Sequence, residues 1–201
     1  MHDCARFFVI LQRFYMTIMK KTIRDMEHVE IVSARPEDAD FIAWIVAQGM
    51  HMDDVPSFLK SVGARDDTLY SWRHTRLLCC EGRMAGGLIS YDGATHEAGR
   101  RNTWVMPDGK LLNSGDVPET CAGEYYLDSL AISPEFRGRG LWRLLFDDAV
   151  KTAREKGFHR VTLICDEDYP RLSQLYASYG FMPEDTFLYF GVLCRKMSLA
   201  I

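Results

Sequence analysis

The apolar and polar positions divide the chain into short elements. VEIVSA (29–34) reads as a strand. Arg35-Pro36-Glu37-Asp38 follows it, with proline and acids where a first helical turn favours them. Ile42, Ile45, Val46 and Gly49 then recur at helical spacing, which predicts a helix over 36–50. A second helical region is expected over 54–74, interrupted near Gly63. The run TRLLCCEGRMAGGLISYDG predicts a hairpin, with strands at 77–80 and 84–91 and a turn at Glu81-Gly82-Arg83. Residues 92–122 lose all steady periodicity and hold Pro107-Asp108-Gly109 and Asn113-Ser114-Gly115. So long an irregular stretch is either functional or a partly helical surface insertion, and both readings stand.

The second half is more regular. EYYLDSLAIS (124–133) reads as a strand, and Leu141, Leu144, Leu145, Ala149 and Ala153 mark one face of a helix that Gly157 ends. On the opposite face Asp147 and Lys151 stand four apart, as an ion pair would. RVTLIC (160–165) is the next strand. Asp168 is placed to cap a helix carrying Leu172, Leu175, Tyr176 and Tyr179, ended by Gly180, and FLYFGVLCRKMSL closes the chain as one or two strands. This order predicts a mixed α/β (α+β) domain with helices on both faces of a largely antiparallel sheet. Strands 124–132 and 160–165, joined by a helix, should form a right-handed parallel pair at its centre.

With 201 residues, one domain with an appendage is expected. The boundary falls near residue 28, leaving 1–27 as an apolar appendage of unassigned role and 28–201 as the domain. FFVIL near the start is interrupted by Arg13 and lacks a small-residue cleavage site, so it predicts neither a signal peptide nor a membrane span. The formal charge of −4 argues against nucleic-acid binding, which draws on surplus basic charge. Six cysteines occur without a CxxC pair or a zinc-like Cys/His spacing. Reduced thiols in a cytoplasmic protein, with no metal, is the expectation, and Cys165 as a nucleophile is the lesser alternative.

SPEFRGRGLWRLL (133–145) concentrates the candidate chemistry. Two glycines and three arginines sit between a predicted strand and a predicted helix. Helix N-terminal amides lack intrahelical partners, glycine lets a ligand approach them, and arginine donors suit phosphate oxygens. Alone, such a turn is equally a solvated basic loop.

Its surroundings sharpen the picture. Arg137-Gly138-Arg139-Gly140-Leu141-Trp142 after an apolar strand, then Leu175-Tyr176 and Gly180-Phe181 after the next, resemble the paired motifs of the GNAT superfamily of acetyl-CoA-dependent N-acyltransferases. Arg35-Pro36-Glu37-Asp38-Ala39 resembles that family's first strand-to-helix junction, and the likeness spans about 29–199. Three positions depart from the pattern: Trp142 where a small residue is usual, Tyr169 where asparagine is usual, and Leu172 where alanine is usual.

The resemblance implies acetyl-CoA as co-substrate, an amine as acceptor, and a direct transfer between them. It implies that two parallel strands splay apart and that the pantetheine arm lies between 128–132 and 161–165. Leu130, Ala131 and Ile132 would line it, with the backbone of Leu130 and Ile132 bonding its amides. The pyrophosphate would sit on Arg137, Gly138, Arg139, Gly140, Leu141 and Trp142, with Arg143 and Tyr169 beside the cofactor. Tyr176 matches the family's general acid; a tyrosine exceeds a thiol in pKa by roughly 1.5 pH units, so it can protonate the leaving thiolate.

For the base, strand alternation sets Glu124, Tyr126 and Asp128 on one face and Tyr125, Leu127 and Ser129 on the other. Asp128 is preferred to Glu124. His51, Asp53 and Asp54 cluster before Pro56, either facing the substrate or simply ending a helix. Trp142 falls in register with Leu145, Ala149 and Ala153, so its ring should pack inward along the helix. The alternative function, resting on the three departures, is an acyl-CoA-binding or regulatory module without catalysis. Neither the acceptor amine nor the oligomeric state is specified, and a homodimer stays open.

Overall fold

The computed structural model describes residues 28–105, 108, 110–112 and 117–201. The appendage over 1–27 lies outside them. Seven strands, β1 (Val29–Ser33), β2 (Thr75–Cys80), β3 (Arg83–Asp92), β4 (Tyr125–Ile132), β5 (Arg160–Asp166), β6 (Met182–Tyr189) and β7 (Val192–Ala200), form one sheet. Its order is β1-β2-β3-β4-β5-β7-β6. Every neighbouring pair is antiparallel except β4 and β5, which run parallel. The helices are α1 (Ala39–Gly49), α2 (Ser57–Ala64), α3 (His96–Thr103), α4 (Trp142–Glu155) and α5 (Pro170–Tyr179). This is the mixed, largely antiparallel architecture with a parallel central pair that the order of elements predicts.

Two apolar clusters hold the helices to the sheet. On one face, Leu145, Phe146, Ala149, Val150 and Ala153 of α4 pack with Leu127, Val161 and Leu163, and α5 adds Leu172, Tyr176 and Tyr179. On the other, Ile42, Ile45 and Val46 of α1 and Leu59 and Val62 of α2 pack with Leu77, Ile89, Tyr126 and Ala131. Burying each such large side chain contributes roughly 1.5–3 kcal/mol, so helical periodicity alone settles which face turns inward. Arg76 of β2 adds a polar tie to α4, its Nε donating to Asp148 at 2.8 Å.

Several local expectations are corrected. The second helical region stops at Ala64, where the Thr68 hydroxyl donates to the Val62 carbonyl at 2.7 Å and so takes a terminal acceptor. A separate 3-10 turn follows at Trp72–His74. The β2–β3 turn has two residues rather than three: Glu81 and Gly82 both hold positive φ, 53° and 72°, which closes a tight hairpin and frees Arg83 to begin β3. Asp147 and Lys151 do not pair. Asp147 instead accepts the Tyr179 hydroxyl at 2.7 Å, and Lys151 reaches Glu155 at 3.8 Å. Asp168 is not the cap of α5. Tyr169 holds that position without a side-chain bond, Pro170 supplies the first turn with no N–H to satisfy, and the Asp168 amide donates to Asp166 at 2.7 Å.

One correction bears directly on function. The β3–β4 register pairs Ile89 with Ser129 but Ser90 with Leu127, so Asp128 is an extra residue in β4. This bulge interrupts the two-residue alternation. Ser129 therefore leaves the Leu127 face and joins Asp128, and its side chain lies against Gly49 of α1.

The irregular stretch after β3 folds back on itself. It forms a 3-10 turn at Gly93–Thr95, then α3, then a bridge between Val105 and Leu111. Its end returns to its start, where the Gly93 amide donates to the Glu124 carbonyl at 2.9 Å. A Cβ at Gly93 would fall 2.2 Å from the Cys121 carbonyl oxygen, so only glycine permits that closure.

Candidate active site

The parallel strands β4 and β5 pair only at Tyr125 with Val161 and Tyr126 with Thr162, then part. Beyond that point β4 has an inner edge facing the split. The Ser133 amide donates to Ala85 on the β3 side at 2.8 Å. By alternation Ala131 also turns its backbone to β3, while Leu130 and Ile132 turn theirs to the split. Arg137 Nε occupies one of those groups, donating to the Ile132 carbonyl at 2.8 Å.

At the end of β4 the chain makes a 3-10 turn at Pro134–Phe136, then the glycine-arginine turn, then α4. Gly138 and Gly140 hold φ of 77° and 73°, the left-handed region that glycine occupies at little cost. Among the described residues, the amides of Gly138, Arg139, Gly140, Leu141 and Trp142 donate to no backbone carbonyl, the first loop bond of α4 being Arg143 to Gly140. The turn thus presents a run of free donors at a helix N-terminus.

Its arginines are anchored rather than loose. Arg137 Nη2 reaches Gln48 of α1 at 3.2 Å, and Arg139 Nη2 bonds the Glu135 carbonyl at 3.1 Å. Arg143 turns to α5, bonding Ser178 Oγ at 3.0 Å with its guanidinium 4.5 Å from the Trp142 ring centre. The Trp142 ring packs on Phe146 at 5.3 Å and Tyr179 at 6.0 Å, along the helix and into the core.

Asp128, the bulged residue, stands beside the split on the α1–α2 face. Its carboxylate accepts the Tyr91 hydroxyl at 2.5 Å and the Ser129 hydroxyl at 2.8 Å. Burial, then the charge of nearby Glu119, pushes its pKa up to about 7, against the pull of those two hydrogen bonds. It retains partial solvent access. Such a carboxylate is poised to exchange a proton near neutral pH.

Glu119 is buried nearby and bridges several elements. Its Oε1 contacts His96 Nε2 of α3 at 2.7 Å and accepts the Tyr189 hydroxyl at 2.9 Å. Its Oε2 accepts the Tyr126 hydroxyl at 2.6 Å. Burial would depress the His96 pKa, but the bond and charge of Glu119 outweigh it and raise the imidazole above its ordinary value.

Glu124 has different surroundings. It receives bonds from Thr120 and Thr162, and Lys196 Nζ lies 2.7 Å away. Burial pushes its carboxyl up, yet the Lys196 bond and charge prevail and hold it below the usual range. Its oxygens are occupied by structural partners.

Tyr176 stands on the opposite face of the sheet, with its ring stacked 5.8 Å from Phe146. Burial, then the neighbouring Cys165, raises its phenol well above the ordinary value, so it stays protonated. Tyr176 thus packs against the cluster on one face of the sheet, and Asp128 bonds Tyr91 of the cluster on the other. Tyr169, exposed before α5, stacks on His51 with ring centres 4.0 Å apart. That contact joins the end of α1 to the loop after β5. Asp53 and Asp54 are exposed beyond it.

A sequence model of the acetyltransferase (GNAT) family matches residues 56–181. The chain belongs to the GNAT family of acetyltransferases. It is similar to the mycothiol acetyltransferase of Beutenbergia cavernae, 37% identical over 87 residues, covering 42% of this chain and 29% of that protein. The mycothiol acetyltransferase of Paenarthrobacter aurescens is 29% identical over 116 residues, covering 50% of this chain and 35% of its own length. The matches to these curated relatives therefore take in only about a third of their length. Among solved structures, an N-acetyltransferase from Staphylococcus aureus Mu50 superposes with a TM-score of 0.72 at 21% identity, covering 85% of this chain and 100% of that one. The ribosomal-protein-S18-alanine N-acetyltransferase from Escherichia coli gives 0.56 at 17%, covering 87% and 94%. At these identities the structures establish the fold.

Within this GNAT chain, the sequence motifs mark the glycine-arginine turn and Tyr176 but not the groups around Asp128. Tyr91, His96, Glu119 and Tyr189 belong to no motif. Glu119 and Tyr189 are 70 residues apart, and Glu119 and His96 are 23 apart. The weak signal available was the irregular stretch itself, which supplies both His96 and Glu119.

Proposed function

We propose that the chain transfers the acetyl group of acetyl-CoA to a primary amine by direct attack, with Asp128 as base and Tyr176 as acid. The observation that carries this reading is the Asp128 carboxylate, half-buried and held by the Tyr91 and Ser129 hydroxyls on the strand that borders the split. The chain fits the co-substrate at two places: the free amides from Gly138 to Trp142 suit a pyrophosphate, and the β4 edge at Leu130 and Ile132 suits an amide-bearing arm added like a strand. Bound there, acetyl-CoA supplies an activated thioester.

The protein's own groups then have distinct tasks. Asp128, ionised, takes the ammonium proton of the acceptor, directly or through one water, and attracts the cation. Tyr91 and Ser129 hold its carboxylate in place. Tyr176, protonated across the pH range, gives a proton to the departing thiolate. Glu124 serves as a structural acceptor, which leaves Asp128 as the base.

Thiol release from acetyl-CoA over a panel of primary amines tests the reading. Saturable release with at least one amine is expected. Tyr176→Phe should lower kcat by roughly a hundredfold or more while leaving acetyl-CoA affinity unchanged. Full activity in that variant would remove Tyr176 from the mechanism. Binding without release for every amine would favour the acyl-CoA-binding module.

A further inference from the structure

The rings of His51 and Tyr169 lie 4.0 Å apart and within 18° of parallel. Each belongs to a different side of the split. His51 follows α1, whose end is fixed to the β4 side: Gly49 lies against Ser129, and Gln48 accepts from Arg137 at 3.2 Å. Tyr169 belongs to the loop after β5, which is fixed to β7. There the Glu167 amide donates to the Leu193 carbonyl at 3.0 Å, and the Glu167 carboxylate accepts from Arg195 at 2.6 Å. β4 and β5 pair at Tyr125–Val161 and Tyr126–Thr162 and part from there, so the stack joins the two sides beyond the ladder.

The backbone beneath His51 presents that ring. The Met52 amide donates to the Ala47 carbonyl at 2.8 Å, and the His51 amide to the Gln48 carbonyl at 3.2 Å. These are the two bonds of a helix stop built around one left-handed residue, a place glycine usually takes. His51 takes it, with φ of 54°. A side chain there strains the backbone, and such strain collects at ligand clamps. Tyr169 is its counterpart across the split. It is one of the three departures from the sequence motif, and its exposed ring lies on His51. An asparagine at 169 could not form this stack.

Rings 4.0 Å apart are in van der Waals contact and leave no width for a chain between them. We infer that His51 and Tyr169 form a strap across the split, which parts to let the pantetheine arm settle sideways onto the β4 edge and then reseats over it. This rests on acetyl-CoA being the co-substrate. The end of α1 lies where such an arm would run. Gln48 holds Arg137 of the glycine-arginine turn, and Gly49 covers Ser129 beside Asp128. An arm reaching from that turn towards Asp128 therefore passes the strap.

Surface plasmon resonance on the immobilised full chain tests this with two ligands. Acetyl-CoA carries the arm; 3′-phospho-ADP is the same nucleotide without it. His51→Gly removes one ring and suits the left-handed backbone, so it should melt no lower than the unaltered chain. Tyr169→Asn removes the other ring from an exposed position and serves if the first variant does not fold. In each, association and dissociation of acetyl-CoA should both quicken about tenfold, as loss of one aromatic stack allows, with Kd changed less than about threefold. The double variant should match either single one, since each already opens the strap. Both rates of 3′-phospho-ADP should stay as they were. Unchanged rates for acetyl-CoA would mean that the arm threads beneath a closed stack and would overturn the inference. So would equal quickening of 3′-phospho-ADP, multiplied effects in the double variant, or faster dissociation alone, which would make the rings a plain binding surface. Absence of acetyl-CoA binding would remove strap and co-substrate together. Thiol release with an amine, measured in parallel, keeps the strap apart from the transfer. Quickened rates without release keep the strap and sink the transfer; release with unchanged rates does the reverse.

Discussion

Asp128 both breaks the β4 register and carries the carboxylate assigned to the acceptor's proton. Its raised pKa sets a pH dependence with a definite sign. Only the ionised form accepts a proton, so kcat/KM for the amine should rise with pH through about 7. Asp128→Asn should lower kcat/KM by roughly 10²–10⁴-fold and abolish that limb, as a pH–rate profile would show. Stability runs the other way. The folded chain holds the proton over a range where the unfolded chain has lost it, so this group's contribution falls as pH climbs from about 4 towards 7. Asp128→Asn should therefore raise the melting temperature, and by more at pH 8 than at pH 5, the signature of a residue kept at the expense of stability. From sequence, Asp128 could be nominated by alternation, but its environment could not be read. The Tyr91 and Glu119 groups that set it lie on other elements, and the bulge that turns Ser129 towards it leaves no local mark.

Elements bounded by glycine and helical periodicity were legible; elements closed by distant side chains were not. Gly138, Gly140 and the α4 face follow from local rules, and the structure shows both glycines in the left-handed region they suit. The expected ion pair of Asp147 and Lys151 failed because Tyr179, on another helix, offered Asp147 a better-placed hydroxyl. The Asp168 cap failed because Pro170, favoured at a helix's first position, starts the helix there and makes Tyr169 the cap residue. The turn supplies its own prediction. A Cβ at Gly138 meets nothing within 4 Å, so Gly138→Ala costs only its backbone conformation, about 1–2 kcal/mol. If these amides hold the pyrophosphate, that variant should stay folded, and calorimetry should show acetyl-CoA affinity reduced roughly tenfold with little change in kcat at saturation.

At the scale of the molecule, composition and element order were enough for the fold class, because two apolar helix faces and one strand–helix–strand unit leave few arrangements open. They could not supply the irregular stretch between β3 and β4, whose His96, Trp104 and Glu119 meet partners from α2 to the β6–β7 hairpin. We propose residues 28–201 as the folding unit. A chain beginning at His28 should melt at the same temperature as the full chain, and acetyl-CoA at a hundredfold excess over its Kd should stabilise both by about 2.7 kcal/mol.

The parting of β4 from β5 makes an interior strand behave as an edge. Amides buried in the middle of a sheet ordinarily exchange their protons with solvent only when the whole sheet opens. Those of Leu130 and Ile132 have no strand partner on that side, so they should exchange in the free protein at the pace of a rim strand. Amides of the β3–β4 ladder should stay protected. Saturating acetyl-CoA should slow Leu130 and Ile132 selectively, so that hydrogen exchange would record the ligand as the strand that completes the sheet.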